Sequence, residues 1–307
     1  METMLMIRQI QSSSLDMIDP LVIKMRERIG EISVPPSIGD AIKKSVSEGK
    51  SSLYGTFDKD DNLLGFGLWR NTSKGISFVF ADDPELERNI IDEILNNHSN
   101  GCSAIMAAGP WVTESISEYL IAIDFRKLDR VFMTLSRDTI EVMKSIDLPS
   151  DMNFEIYDVK YRDEVSKVVF KGNDGHIDQI VFPNFFGSVE KCKNLLTSIE
   201  NSVYGQYKKP YSWVLKKNDN IISACFVTIR SDRDSGYIPD IVVDPDFQGQ
   251  RLGKAIIIHS MKKILESEPN IDKIALDVTL ENNAKFLYQS LGFVSEQEYS
   301  MYTWISK

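Results

Sequence analysis

The same series of elements is written twice along this chain, and that repetition limits the possible folds more than any other feature. In the first half, "SSLYGTF" and "LLGFGLW" flank the polar turn "DKDDN", two β-rich runs with the signature of a hairpin. "ISFVFA" and Asp83-Pro84 follow, then a helical pattern "ELERNIIDEILNN", a short apolar run "SAIMAA", a helix "VTESISEYLIAI" and a strand "RVFMTLS". The second half repeats the order: "YSWVLKK", the turn "NDN" and "IISACFVTI", then "YIPDIVV" leading to Asp244-Pro245, a helix from Leu252 to Leu265, "KIALDVT", a helix "NAKFLYQSL" and "YSMYTWI". "FDKDDNLLG" echoes "LKKNDNIIS", and "IAIDFRKLDRVFMTLS" echoes "QSLGFVSEQEYSMYTWIS", at separations of about 158 and 168 residues, the drift expected of a duplicated domain with small insertions. A chain of 307 residues is long enough for two cores. Pro149, Ser150 and Asp151 interrupt the pattern before a new strand, which predicts domains over residues 1–150 and 151–307. A second break, at Pro35-Pro36, ends the helical patterns of the N-terminus.

The formal charge of -10 repels phosphate polymers, so nucleic acid is not an expected partner. No apolar run approaches the ~20 residues that span a bilayer, and "METMLMIRQIQSSS" lacks the apolar core and small-residue cleavage site of a secretory signal. The three cysteines, Cys102, Cys192 and Cys225, are widely separated and without metal-ligand spacing. They read as free thiols in a reducing compartment. The expectation is a cytoplasmic protein, monomer or homodimer, with no membrane contact and no metal.

The chemistry concentrates in "VVDPDFQGQRLGKAIII", residues 242–258. A strand ends at Asp244-Pro245, a polar and glycine-containing loop follows, and a helix begins. The first amides of a helix lack intrahelical partners and its dipole favours an anion, so such a junction suits a pyrophosphate. Gly249 and Gly253 allow close backbone approach, and Arg251 and Lys254 add charge. A mononucleotide P-loop is excluded, because "GQRLGKA" is one residue short and has Ala255 where a magnesium-binding hydroxyl belongs. A dinucleotide fingerprint is excluded because two glycines stand where three are needed.

"VDPDFQGQRLGKA" resembles the coenzyme A pyrophosphate loop of the GNAT superfamily of N-acyltransferases, Q/R-x-x-G-x-G/A after a strand ending V-D-P. Gln248 and Gly253 match the first and sixth positions, and Arg251 stands at the fourth, where the family usually has glycine. Downstream, "ENNAKFLYQSLGF" resembles the family's N-x-x-A-x-x-L-Y-x-x-x-G-F segment, with Ala284, Leu287, Tyr288, Gly292 and Phe293 in place and the asparagine displaced by one, to Asn282. The resemblance covers much of residues 210–307. It implies an α/β (α+β) chain of two tandem GNAT-like domains, each a mixed, mostly antiparallel sheet flanked by helices, an architecture similar to mycothiol synthase-type proteins.

It also implies roles. Backbone groups of Ile241, Val242 and Val243 would hold the pantetheine arm of acetyl-CoA, and an amide near Val243 would polarise the thioester carbonyl. Gln248, Gly249, Gln250, Arg251, Leu252, Gly253 and Lys254 would surround the pyrophosphate, with Asn282 and Asn283 across the slot. Tyr288 matches the general acid that protonates the thiolate. Asp277 and Asp240 are both candidates for the base. Pro239 marks an edge or a bulge within its strand, in keeping with the family's habit of parting its fourth and fifth strands to admit the cofactor. His259 reads as a core or surface residue, and His176 in "NDGHID" lacks a second ligand at metal-site spacing. Phe185 and Phe186 read as core.

The first half's counterpart of the loop, "DPELERNIID", has Glu87 for Gln248, Asp92 for Gly253 and no glycine, and two carboxylates repel a pyrophosphate. Tyr119 stands one position out of register with Tyr288, and Asp124 replaces Gly292. The expected function is transfer of an acetyl group from acetyl-CoA to a small-molecule primary amine by the C-terminal domain. The alternatives left open are a non-catalytic acyl-CoA-binding regulator and a protein N-acetyltransferase.

Overall fold

A computed structural model describes residues 5–30, 36–230 and 234–306. Pro35 and Glu2 lie outside them. The chain forms two compact units, residues 1–128 with 300–307, and residues 129–299. Sequence alone puts the division at about residue 150. The structure puts it inside a strand, with the chain's last segment returned to the first unit.

The first unit contains β1 (Met6–Gln9), α1 (Asp19–Ile29), α2 (Ile38–Ser47), β2 (Ser51–Phe57), β3 (Leu63–Arg70), β4 (Gly75–Ala81), α3 (Pro84–His98), β5 (Ala104–Ala108), α4 (Glu114–Ala122) and the start of β6 (Arg126–Ser136). β1 through β4 run antiparallel in order, β4 pairs β5 in parallel, and Met301–Ile305 pair antiparallel with Ala108–Ala104. The predicted hairpin forms around Asp61, whose φ of 66° meets the left-handed requirement of a tight turn. Ile18, Met25 and Ile42 pack on Leu53 and Phe66. Ile90, Ile94, Ile116 and Leu120 of α3 and α4 pack with Trp69, Val79 and Trp111.

The second unit continues β6 from Asp129, then α5 (Arg137–Val142), β7 (Met152–Ile156), α6 (Arg162–Asn173), α7 (Ile177–Val181), α8 (Pro183–Phe186), α9 (Val189–Glu200), β8 (Gln206–Tyr207), β9 (Trp213–Lys217), β10 (Asn220–Arg230), β11 (Ser235–Val243), α10 (Leu252–Ser267), β12 (Lys273–Thr279), α11 (Ala284–Leu291) and the first residues of β13 (Val294–Ile305). Its sheet runs β6, β12, β11, β10, β9, β7, with β8 on β10. Every pairing is antiparallel except β11 with β12. The β9–β10 hairpin turns at Asn218, φ 53°, as its echo turns at Asp61.

Strand alternation sends side chains to two cores. Val131, Met133, Ile274, Leu276 and Val278 meet Ile256, Met261 and Ile264 of α10 with Tyr288 and Leu291 of α11. Val214, Ala224, Phe226 and Val242 meet α6 and α9, and Phe185 and Phe186 pack against that cluster as expected.

Candidate active site

The site begins with a gap in the sheet. β11 and β12 pair only over Ser235–Tyr237 and Lys273–Ala275. Between the pairs Phe226–Asp240 and Thr228–Tyr237, β11 carries one residue more than β10, a bulge that contains Pro239. Proline has no N–H to give the ladder, and β11 leaves β12 there. Its backbone at Ile241, Val242 and Val243 is then paired on the β10 side only.

At the end of β11 the loop turns twice through left-handed backbone, at Gly249 (φ 76°) and Arg251 (φ 62°, ψ 11°), before α10 starts. The fourth loop position, where glycine is expected, is thus a position whose conformation favours glycine, and an arginine adopts it. α10 has no side-chain cap and no acid in its first turn, which leaves its leading amides available. The two acids nearby are turned away: Asp244 and Asp246 both bind Lys171 of α6, at 2.8 and 2.7 Å. Arg251 has no protein partner among the described residues, and Lys254 Nζ donates to the Ser290 carbonyl at 3.3 Å. A Cβ at Gly253 would stand 3.3 Å from Val243 Cγ2 and 3.4 Å from Leu287 Cδ2, so a larger residue there would press on that wall.

These residues surround a cleft of about 400 Å³ within the second unit. Ile241, Val242, Val243, Gln248, Gly249, Arg251, Leu252, Gly253, Lys254, Asn282, Asn283 and Tyr288 all line it, whereas Gln250 does not. Gln248 turns its amide back to the Val243 carbonyl at 3.1 Å. Asn282 stands just before α11 and accepts from the Ala284 amide at 2.8 Å, and its own amide donates to Asp178.

Tyr288 is buried on α11, its ring edge-on to Phe293 at 5.9 Å. Burial, then the nearby Asp240, pushes its hydroxyl well above the usual phenol range, so it stays protonated. That influence crosses from one face of the sheet to the other. Asp240 shares the α6–α9 face with Val242, and Tyr288 sits on the α10–α11 side. The gap beside Pro239 is where the two faces meet.

The two carboxylates differ sharply. Asp240 is 9 % exposed, its Oδ2 has no partner among the described residues, and burial with the repulsion of Asp178 pushes its carboxyl up to about 7. Asp277 accepts hydroxyls from Tyr237 at 3.0 Å and Tyr299 at 2.7 Å. Neither lines the cleft itself. Asp277 is the less free of the two, its oxygens each already taken by a phenol.

Residues 208–295 match the family model described as the acetyltransferase (GNAT) domain. That stretch matches a GNAT domain. It lies within the second unit, and the cleft is built almost wholly from it. Among solved structures the chain is similar to a GCN5-related N-acetyltransferase from Sphaerobacter thermophilus, at 12 % identity over 98 % of this chain and 95 % of that one, TM-score 0.64. It is also similar to a tandem GNAT protein from the clavulanic acid biosynthesis pathway, at 11 % identity over 98 % of both chains, TM-score 0.62. These likenesses establish the fold of a tandem GNAT protein. No curated protein sequence matches the chain.

Beside the GNAT domain's loop, the first unit's counterpart is closed by its own side chains. Asp83 caps α3, accepting from the Glu85 amide at 2.8 Å, and Glu85 and Glu87 stand in its first turn. Glu87 is buried, pairs with Arg28 and accepts from the Ala81 amide at 3.2 Å. Tyr119 donates its hydroxyl to Asp92. Carboxylates therefore already occupy the helix end where an anion would bind.

Sequence reasoning missed the α6–α7 wall of the GNAT cleft. Gly172, Asn173 and His176 line it, and a Cβ at Gly172 would come within 2.3 Å of Val242 Cγ2. That glycine lets α6 approach the strand, and no loop motif announces it. His259 is structural: it stacks on Phe154 at 4.1 Å, meets Trp213 edge-on at 4.3 Å, and is pushed down to about 4 by burial. Among the described residues no group of three or more His, Cys, Asp or Glu is placed to hold a metal ion, and no helix is long and apolar enough to cross a membrane. Cys192 and Cys225 are buried free thiols, and Cys102 is half-buried.

Proposed function

We propose that the GNAT domain transfers an acetyl group from acetyl-CoA to a primary amine of a small molecule by direct attack. The uncapped, acid-free start of α10, opening into a cleft that also contains Tyr288, is the observation that carries this reading. When bound, the thioester supplies the electrophilic carbonyl carbon.

The chain's own residues meet each remaining need. Leading amides from Gly249 to Lys254, with the cations of Arg251 and Lys254, hold the pyrophosphate. The freed edge of β11 at Ile241, Val242 and Val243 lines the pantetheine arm, and Asn282 and Asn283 close the far side. Tyr288, kept protonated by burial, gives its hydroxyl proton to the departing thiolate. Asp240, with an unpartnered oxygen and an affinity for protons near neutrality, takes the amine proton through a water. Asp277, occupied by two phenols, orients those tyrosines. The first unit is catalytically silent, since its helix end is filled by Asp83 and Glu87.

Thiol release over an amine panel tests the assignment, with calorimetry reporting coenzyme A affinity. Tyr288→Phe should lower kcat by about 10²-fold or more, the range of general acid catalysis, while coenzyme A affinity changes less than about threefold. Unchanged turnover removes Tyr288 as the acid. One observation favours the competing reading of a binder without turnover, namely Arg251 in a glycine conformation. Tight coenzyme A binding with no thiol release from any amine would establish it.

A further inference from the structure

Behind the gap, one face of the second unit's sheet is unusually polar. Tyr237 of β11 pairs beside Ala275, Asp277 and Thr279 follow two and four residues along β12, and Arg130 of β6 pairs with Thr279. Alternation places all of them on the same face, opposite to the Val131, Leu276 and Val278 that pack on α10 and α11. Asp240 lies on this face too. A sheet face beneath helices ordinarily carries apolar side chains, and here it carries phenols, carboxylates and a guanidinium.

Arg130 is the group whose chemistry is unfinished. A guanidinium offers five N–H donors. Among the described residues its contacts are the Thr279 hydroxyl at 3.3 Å and the ring of Phe182 at 5.1 Å, neither of them a carboxylate. Asp277 and Asp178 attract it from beyond ion-pair distance. Their own oxygens are taken by Tyr237, Tyr299, Thr279 and Asn282. A half-buried guanidinium binds carboxylates in a planar, two-pronged manner when one is present, and the described residues supply none at ion-pair distance.

The spacing defines what fits. Thr279 of β12 pairs with Arg130 and Asp277 precedes Thr279 by two residues, so the anion and the cation are diagonal neighbours on one face of the sheet. Diagonal neighbours of an antiparallel pair stand about 7–8 Å apart, within reach of long side chains. An ammonium and a carboxylate separated by two or three bonds, each held by one further hydrogen bond, match that span.

Building on the acetyl transfer argued above, we propose that the acceptor is an amino acid-like molecule, its amine lying over Asp240, alongside Asp277, and its carboxylate bound by Arg130. A lysine side chain of a protein has no carboxylate at that distance, so a protein acceptor is disfavoured.

The experiment compares amino acids with their decarboxylated counterparts as acceptors for the full chain with acetyl-CoA, using α- and β-amino acids of several side chains. The wild type should favour the carboxylated member by at least tenfold in kcat/KM, chiefly through KM, and Arg130→Gln should reduce that ratio toward one, with Arg130→Lys between. Coenzyme A calorimetry and far-ultraviolet dichroism on each variant confirm that it is folded. Equal or better use of the decarboxylated amines overturns the proposal, as does a preference that survives Arg130→Gln. Where no amine is acetylated, binding of the same pairs to the coenzyme A-loaded protein decides between the same outcomes, and the absent turnover counts separately against the acetyl transfer.

Discussion

Arg251→Gly separates two opposing contributions at the loop. Arg251 holds φ 62°, ψ 11°, a region that costs an L-residue about 1–2 kcal/mol. Glycine removes that strain but has more freedom to lose on folding, roughly 0.5–1 kcal/mol. The net is a stabilisation of about 0.5–1 kcal/mol, or some 1–4 °C in Tm for a unit of this size. Against this, the substitution removes an exposed cation, without a protein partner among the described residues, at the N-terminus of α10. A solvent-screened charge near an anion contributes about 0.5–1 kcal/mol, so coenzyme A should bind two- to fivefold more weakly, with a smaller dependence on salt. Thermal melting of the ligand-free protein and calorimetry at two salt concentrations measure both. Arg251→Gln keeps the left-handed strain and removes the charge, so it should weaken binding equally without the gain in Tm. A lower Tm for Arg251→Gly, or tighter coenzyme A binding, would refute the reasoning: the first because the backbone would not be strained, the second because the arginine would obstruct the anion.

Three further outcomes follow from buried groups. Asp240 binds its proton more tightly folded than unfolded, so stability falls as pH rises from about 4 to about 7, and its ionised form costs on the order of 4 kcal/mol at pH 8. Asp240→Asn should therefore be more stable than the wild type at pH 8 by denaturant unfolding, though inactive, while the wild type's kcat/KM should fall below about pH 7 as the base becomes protonated. His259 binds its proton less tightly folded than unfolded, so it contributes stability above its ordinary value of 6.5 that is lost as pH falls toward about 4. His259→Phe should flatten that acid limb, and an unchanged melting curve between pH 7 and 4.5 would contradict it. Glu87→Ala leaves Arg28 without its partner and the Ala81 amide unpaired, at a cost of about 2–3 kcal/mol. Chemical denaturation should show that loss with coenzyme A affinity intact, because the proposed coenzyme A site is built from the second unit alone.

The order of elements was legible because hairpins, the strand-loop-helix junction and the amphipathic helices are local events. Asn218 and Asp61 sit in the turns that their echoed contexts imply, and the cleft gathers nearly every loop residue that the motif names. Allocation of strands to units was not legible. "RVFMTLS" and "YSMYTWI" have the same apolar alternation, so either sheet can accept either strand, and only the pairing of Met301–Ile305 with β5 and of Arg130–Ser136 with β12 decides. The α6–α7 wall was hidden for another reason. Gly172, Asn173 and His176 come to the cleft through a close helix-strand approach, which a single sequence does not encode at any fixed spacing. Choosing between Asp240 and Asp277 needed their partners: the residues look alike in sequence and differ in whether tyrosines reach them.

A crystal structure of the protein soaked with coenzyme A tests the central claim most directly. It should show one molecule per chain, its pyrophosphate on the amides from Gly249 to Lys254 and its thiol beside Tyr288. Pyrophosphate density at the start of α3, among Asp83 and Glu87, or an empty loop before α10 at saturating ligand, would contradict it.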